Sequence, residues 1–126
     1  MWTWSQIKGE LRHNGAFVSN GYSGKGRGVN NPALQGLAAV GPVPRGPWKI
    51  VERYDSKNVG PYALVLHAVD ATPGDDRHDA TGRAAFRIHG DNARGDRSAS
   101  KGCIILPRNV RVAIWTSGDR DLEVVA

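Results

Sequence analysis

Cys103 and His89 are the two side chains in this sequence best suited to covalent chemistry. A thiol attacks strongly only as its thiolate, and a free cysteine titrates near ~8.5, so it needs a neighbour that takes the proton. An imidazole does this at neutral pH and holds the resulting ion pair together. His89 closes the run Phe86-Arg87-Ile88, and Cys103 opens the run Ile104-Ile105-Leu106. The intervening thirteen residues, 90–102, are polar and long enough for two adjacent strands to bring those ends side by side. The chemistry such a pair supports is acyl transfer through a thioester. Taken alone the two residues weigh little, because a lone cysteine beside isoleucines is commonly a small buried hydrophobe.

The glycine after the histidine and the one before the cysteine add to the pair. Gly102, without a Cβ, allows a tight turn before the cysteine and a close approach of substrate to backbone. The N–H groups of that turn, including that of Cys103, are candidates to face a developing oxyanion. The carbonyl of Gly90 is placed to accept from His89 Nδ1–H, which leaves Nε2 facing the sulfur, the orienting role a carboxylate has in other triads.

The elements that must carry this pair are mostly short strands. Sixteen glycines and seven prolines among 126 residues are spread along the chain, which favours many turns over long helices. Trp2 and Trp4 alternate with polar neighbours, placing both indoles on one strand face. Asn14-Gly15, between extended pieces, predicts a tight hairpin. Pro32 to Leu37 has room for one helical turn. Gly41 to Pro47 must be extended, because three prolines remove donors and fix φ. Strands are expected at Trp48 to Val51, Tyr62 to His67, Phe86 to His89, Ile104 to Leu106 and Leu122 to Val125. A mobile polar loop is expected from Thr72 to Gly82. One helix is predicted over Arg108 to Thr116, with Val110, Ala113 and Ile114 on its apolar face and Gly118 capping it.

Other constellations are weaker. Gly24-Lys25-Gly26-Arg27-Gly28 lacks the Gly-Lys-Ser/Thr ending of a phosphate loop and reads as a flexible loop. His67, His89, Asp91 and Cys103 match no compact metal-ligand spacing, so no metal and no cofactor are expected. His67 reads as a strand-face residue, His13 and His78 as solvent-facing, and Trp2, Trp4, Trp48 and Trp115 as core. The net charge of +5 is scattered, Arg and Lys alternating with Asp and Gly, which argues against a nucleic-acid interface. No stretch approaches the ~18 apolar residues of a membrane span, so no membrane insertion is expected. The single cysteine forms no intramolecular disulfide. Met1-Trp2-Thr3-Trp4 lacks a basic start before an apolar run, which predicts synthesis in the cytoplasm without a signal peptide.

His89-Gly90, followed by Ser100-Lys101-Gly102-Cys103-Ile104, resembles the signature of the L,D-transpeptidase catalytic domain (YkuD type), which carries His-Gly and then Ser-x-Gly-Cys. Gly21-Tyr22-Ser23-Gly24, Asn30-Asn31-Pro32, Gly41 to Gly46 and Phe86 to Asp91 look like one branch, the L,D-transpeptidase-like effectors of type VI secretion. The resemblance implies a mainly β domain over residues 1–126, a curved sandwich or half-barrel with one short C-terminal helix. It implies a cysteine nucleophile at Cys103, a base at His89, and activity on peptidoglycan tetrapeptide stems, by L,D-carboxypeptidase or transpeptidase exchange. It also implies delivery to the periplasm of a target bacterium, an immunity protein and a secretion-system component as partners. Two departures stand out. Lys101 replaces a histidine common in the family, and Ile105 stands where many members carry an arginine suited to a substrate carboxylate. Lys101 and Arg108 are the candidates to replace that grip, with Ser100 and Ser98 as further site residues. Two alternatives remain open: a catalytically inert basic module that binds cell wall or nucleic acid, and a cysteine endopeptidase that cuts cross-links.

Overall fold

Period-two alternation of apolar and polar residues builds the strands, and their pairing buries the apolar face. The computed structural model describes residues 1–72 and 74–126; Pro73, within the loop expected from Thr72 to Gly82, lies outside the described residues. The strands are β1 (Trp2–Ser5), β2 (Glu10–His13), β3 (Ala16–Asn20), β4 (Tyr22–Ser23), β5 (Gly46–Ser56), β6 (Gly60–Ala68), β7 (Arg87–His89), β8 (Ile104–Ile105) and β9 (Asp121–Val125). The helix α1 spans Arg108–Thr116, as predicted. A single turn of 3-10 helix at Pro32–Leu34 occupies the predicted Pro32 to Leu37 segment. No helix among the described residues is long and apolar enough to cross a membrane.

The strands form one sheet in the order β3-β2-β1-β9-β5-β6-β7-β8-β4. The two edges, β3 and β4, are separated in sequence by Gly21 alone, so the sheet must curl until its edges meet. The result is a nearly closed barrel, the half-barrel form of the expected architecture. Gly21 marks the seam: its N–H donates to Gly9 O at 2.9 Å, and a Cβ there would fall 2.2 Å from Ile105 O. Asn14 and Gly15 both have positive φ, the requirement of the tight β2–β3 turn.

Register builds the core row by row. Leu11, Trp4 and Val124 align across β2, β1 and β9, and Leu64, Ile88 and Ile104 across β6, β7 and β8. Trp4 is fully buried and Trp48 nearly so. The β5–β6 hairpin is longer than its apolar runs predict, because residues 52–56 pair through backbone while their side chains stay largely exposed. Two register shifts in β5 bend this extension.

Four expectations are corrected. Ala113 is exposed; the buried face of α1 is Val110, Arg111 and Ile114. Arg111 is accommodated because its guanidinium donates to the carbonyls of Leu106 (2.6 Å), Tyr62 (3.0 Å) and Pro61 (3.3 Å). Trp115 is only partly buried, with the Arg120 guanidinium 3.6 Å above its ring. His13 and His78 are not simply solvent-facing: His13 stacks on Trp2 at 3.8 Å and His78 on Trp48 at 5.6 Å. The loop from Gly24 to Gly28 is a packed turn, with Gly24 and Gly28 buried against Val40 O.

The segment from Gly41 to Pro44 is a buried strap without regular secondary structure. Its four successive carbonyls accept, in order, from Arg83 Nη2, Arg83 Nη1, Gln6 Nε2 and Trp48 Nε1. Its two N–H groups donate to Leu37 O and Ser23 Oγ, and the prolines contribute none.

Trp4 tests the core directly, because its buried Nε1–H has no hydrogen-bond partner among the described residues. Trp4→Ala should lower stability by ~3–5 kcal/mol through cavity formation. Trp4→Phe should cost clearly less, since it also removes an unsatisfied donor; guanidinium unfolding of the two variants measures the difference.

Candidate functional site

β7 and β8 run parallel, with Ile88 opposite Ile104 and His89 opposite Ile105. Ile88 and Ile104 point into the core, so alternation puts Arg87, His89, Cys103 and Ile105 toward the other face. Parallel pairing offsets the end of β7 from the start of β8. His89 pairs with Ile105, and Cys103 lies two residues earlier, just before β8, so it is offset from His89 rather than directly beside it. Both side chains open into one cleft of about 730 Å³. Its walls carry mostly small side chains, among them Gly36, Ala38, Ala39, Ala84 and Ala85, and the tip of the β5–β6 hairpin at Asn58 and Val59 reaches its rim.

His89 is buried, and its Nδ1 lies 2.8 Å from Gly90 O. With that carbonyl as acceptor, Nδ1 carries the hydrogen and Nε2 holds the free lone pair. Burial lowers the His89 pKa from its ordinary value; the Gly90 carbonyl opposes this, while the Arg111 guanidinium reinforces it. Burial raises the Cys103 thiol, against a hydrogen bond from the Arg87 backbone and the charges of Arg87 and Arg83. Its S–H points to Ala85 O at 3.8 Å. Both shifts act in the direction of the neutral forms, imidazole and thiol.

The turn carrying Cys103 is held by two buried serines. Ser100 Oγ donates to Cys103 O at 2.6 Å and accepts from Gly102 N (3.0 Å) and Gly24 N (2.9 Å). Ser23 Oγ donates to Gly102 O at 2.8 Å. The Gly102 N–H is thus committed to Ser100, which takes it out of the set able to face an oxyanion. Gly102 has φ +137°, and a Cβ there would lie 2.4 Å from Arg83 Nη2 and 2.9 Å from Phe86 Cε1. Gly90 is equally confined: a Cβ would fall 2.9 Å from Arg111 Nη1.

The remaining sequence candidates separate. Lys101 lines the cleft and is exposed. Ser98 bonds to Asn92 and Asp96 in the exposed loop and does not line it. Arg108 and Ile105 line a different cavity, of about 510 Å³, together with Arg111 and Asp91. Arg108 is therefore not brought to the Cys103 cleft. Among the described residues, no group of three or more His, Cys, Asp or Glu side chains is placed to hold a metal ion.

Sequence reasoning did not mark Arg83, and it quoted Tyr22, Ser23 and Arg87 within resembling segments without giving them a role at the site. Tyr22 donates to Asp91 Oδ1 at 2.7 Å and accepts from Ala99 N at 3.1 Å, pinning both ends of the loop between His89 and Cys103. Burial and the Asp91 bond push its phenol up to about 12. No spacing rule signals their roles: Arg83, Ser23 and Tyr22 act on backbone distant in sequence, and Arg87 bonds to Tyr54 Oη across the sheet.

A curled mainly β domain with histidine and cysteine in one small-walled cleft defines the structural class. The model of the Tlde1 domain matches residues 18–125, and the chain belongs to this family of type VI secretion effectors. No curated protein matches the chain.

Two outcomes test the site as built. Gly102→Ala should cost ~1–3 kcal/mol from the left-handed backbone alone, with further loss from the clash, read by thermal unfolding. His89 should make folding stability pH-dependent. Above its ordinary value near ~6.5 both folded and unfolded chains hold it neutral. As pH falls below that, the unfolded chain takes the proton and the folded chain resists it, so stability drops. Wild type should lose more stability than His89→Gln between about pH 7.5 and about 5.5, measured by chemical unfolding at both values.

Proposed function

We propose that this protein is a peptidoglycan-modifying cysteine acyltransferase acting on tetrapeptide stems. The observation that carries the reading is the opening of His89 and Cys103 into one cleft, with His89 Nδ1 held by Gly90 O. The substrate class comes from the L,D-transpeptidase resemblance of the His-Gly and Ser-x-Gly-Cys segments and accords with the effector family.

In this reading the resting pair is neutral, and substrate entry triggers proton transfer from Cys103 Sγ to His89 Nε2. The thiolate attacks the carbonyl carbon of the residue preceding the terminal D-alanine. The N–H of Cys103 faces the resulting oxyanion, since that of Gly102 is used by Ser100. Collapse breaks the C–N bond, His89 returns its proton to the leaving amine, and a thioester remains. Water gives the shortened stem, a D-amino acid gives exchange, and another stem's amine gives a cross-link. Lys101, the exposed cation on the cleft, takes the substrate carboxylate in place of the family's arginine. As an effector the protein acts in the periplasm of a target bacterium, and its producer carries an immunity protein against it.

Purified protein incubated with tetrapeptide muropeptides should release or exchange the terminal D-alanine by mass spectrometry, and Cys103→Ala should do neither. Absence of both reactions in wild type sinks the reading. Cleavage of dimeric muropeptides without D-amino-acid exchange would instead identify an endopeptidase. His89→Ala should slow turnover by ~10²–10⁴-fold, and the acid limb of the wild-type profile should lie below ~6.5, because burial lowers the His89 pKa. Lys101→Ala should raise KM with little change in kcat.

A further inference from the structure

Arg83 is buried beside the reactive turn, yet its hydrogen bonds all end on neutral groups. Nη1 donates to Gln35 O (2.6 Å) and Pro42 O (2.9 Å), and Nη2 to Gly41 O (3.0 Å) and Lys101 O (3.0 Å). Phe86 lies against its guanidinium, 4.9 Å from the ring centroid. No carboxylate among the described residues forms an ion pair with it. A buried cation normally requires a counter-charge, and the Cys103 cleft has neither Asp nor Glu in its lining. Its ionisable groups are Arg83, His89, Lys101 and Cys103 itself, with the Arg87 charge also acting on the thiol from outside the lining. The anions that can arise in this cleft are the thiolate and whatever the substrate brings.

We propose that Arg83 is a positioning residue for Cys103: it clamps the strap and the Lys101–Gly102 turn together, and its unmatched charge is the standing counter-charge for the thiolate. The proposal rests on the reading of Cys103 as nucleophile. Arg83 takes no part in the proton balance, since it stays protonated throughout; the proton passes from Sγ to Nε2. Methionine in its place removes both the charge and the donors, whereas lysine restores the charge with fewer donors, and that difference makes the charge testable.

The test is the pH dependence of Cys103 alkylation by iodoacetamide, followed by intact-mass spectrometry, which needs no muropeptide turnover. Arg83→Met should move the midpoint up by about one pH unit, slowing alkylation at pH 7 about tenfold. Its limiting rate at high pH should match wild type. Arg83→Lys restores the charge with fewer donors, and its midpoint should stay near wild type even if it is less stable. Equal midpoints in wild type and Arg83→Met overturn the charge role, whatever the stability loss.

A second comparison leaves Arg83 intact, so it holds even if Arg83→Met does not fold. Cys103→Asp should melt at or above Cys103→Asn at pH 7 and lose that lead near pH 3, as a carboxylate takes the thiolate's place. A lower melting temperature for the aspartate at pH 7 overturns the proposal. If muropeptides are untouched while the alkylation midpoint follows Arg83, the acyl-transfer reading fails and the assignment of Arg83 stands.

Discussion

Everything near the cleft depends on burying the strap Gly41–Pro44 without leaving a carbonyl unpaired. An extended, proline-containing segment inside a barrel pairs with no strand, so its four carbonyls would each carry a desolvation cost of ~1–3 kcal/mol. Side chains meet that demand. Arg83 takes two of the carbonyls, Gln6 one and Trp48 Nε1 one. The prolines at 42 and 44 ease the problem from the other side, because they bring no N–H to be satisfied. Since Arg83 also holds Lys101 O, the wall of the cleft and the turn bearing Cys103 form one hydrogen-bonded unit.

The electrostatics follow from the same packing. The side chains that fix the backbone here are the Arg83 guanidinium, the Gln6 amide, the Trp48 indole and the serine hydroxyls, none of them a carboxylate. Burial at the same time disfavours the charged forms of the thiol and the imidazole. The lining of the cleft carries the cations Arg83 and Lys101 and neither Asp nor Glu. Ala39 and Ala85, both lining it, are held at positive φ, 62° and 65°. Non-glycine residues persist there only when surrounding structure over-determines them.

Position comes from sheet closure. One residue, Gly21, joins the two edge strands, so β4 must lie against β8 and brings Ser23 to Gly102 O and Gly24 to Ser100. The serine of Ser100-Lys101-Gly102-Cys103 thereby holds the turn from within, buried at 0% exposure. Arg111, on the buried face of α1, packs against Gly90, the residue after the histidine, from the side of the second cavity.

Local pattern was enough for much of this. Alternation placed Trp2 and Trp4 inward, Asn14-Gly15 marked its hairpin, the helix fell at Arg108–Thr116, and the glycines beside His89 and Cys103 marked the segment that lines the cleft. Those features depend on period, turn chemistry and the absence of a Cβ, which are properties of neighbouring residues. What only the tertiary structure decided was the offset of Cys103 from His89 across parallel strands, the exclusion of Arg108 from the cleft, and the roles of Arg83 and Ser23. Each of these depends on contacts across long sequence separations: Arg83 reaches Gln35 and Gly41, and Ser23 reaches Gly102. The sequence by itself determined which residues are able to do chemistry. Closure of the sheet, and the demand that every buried carbonyl find a donor, decided which of them meet.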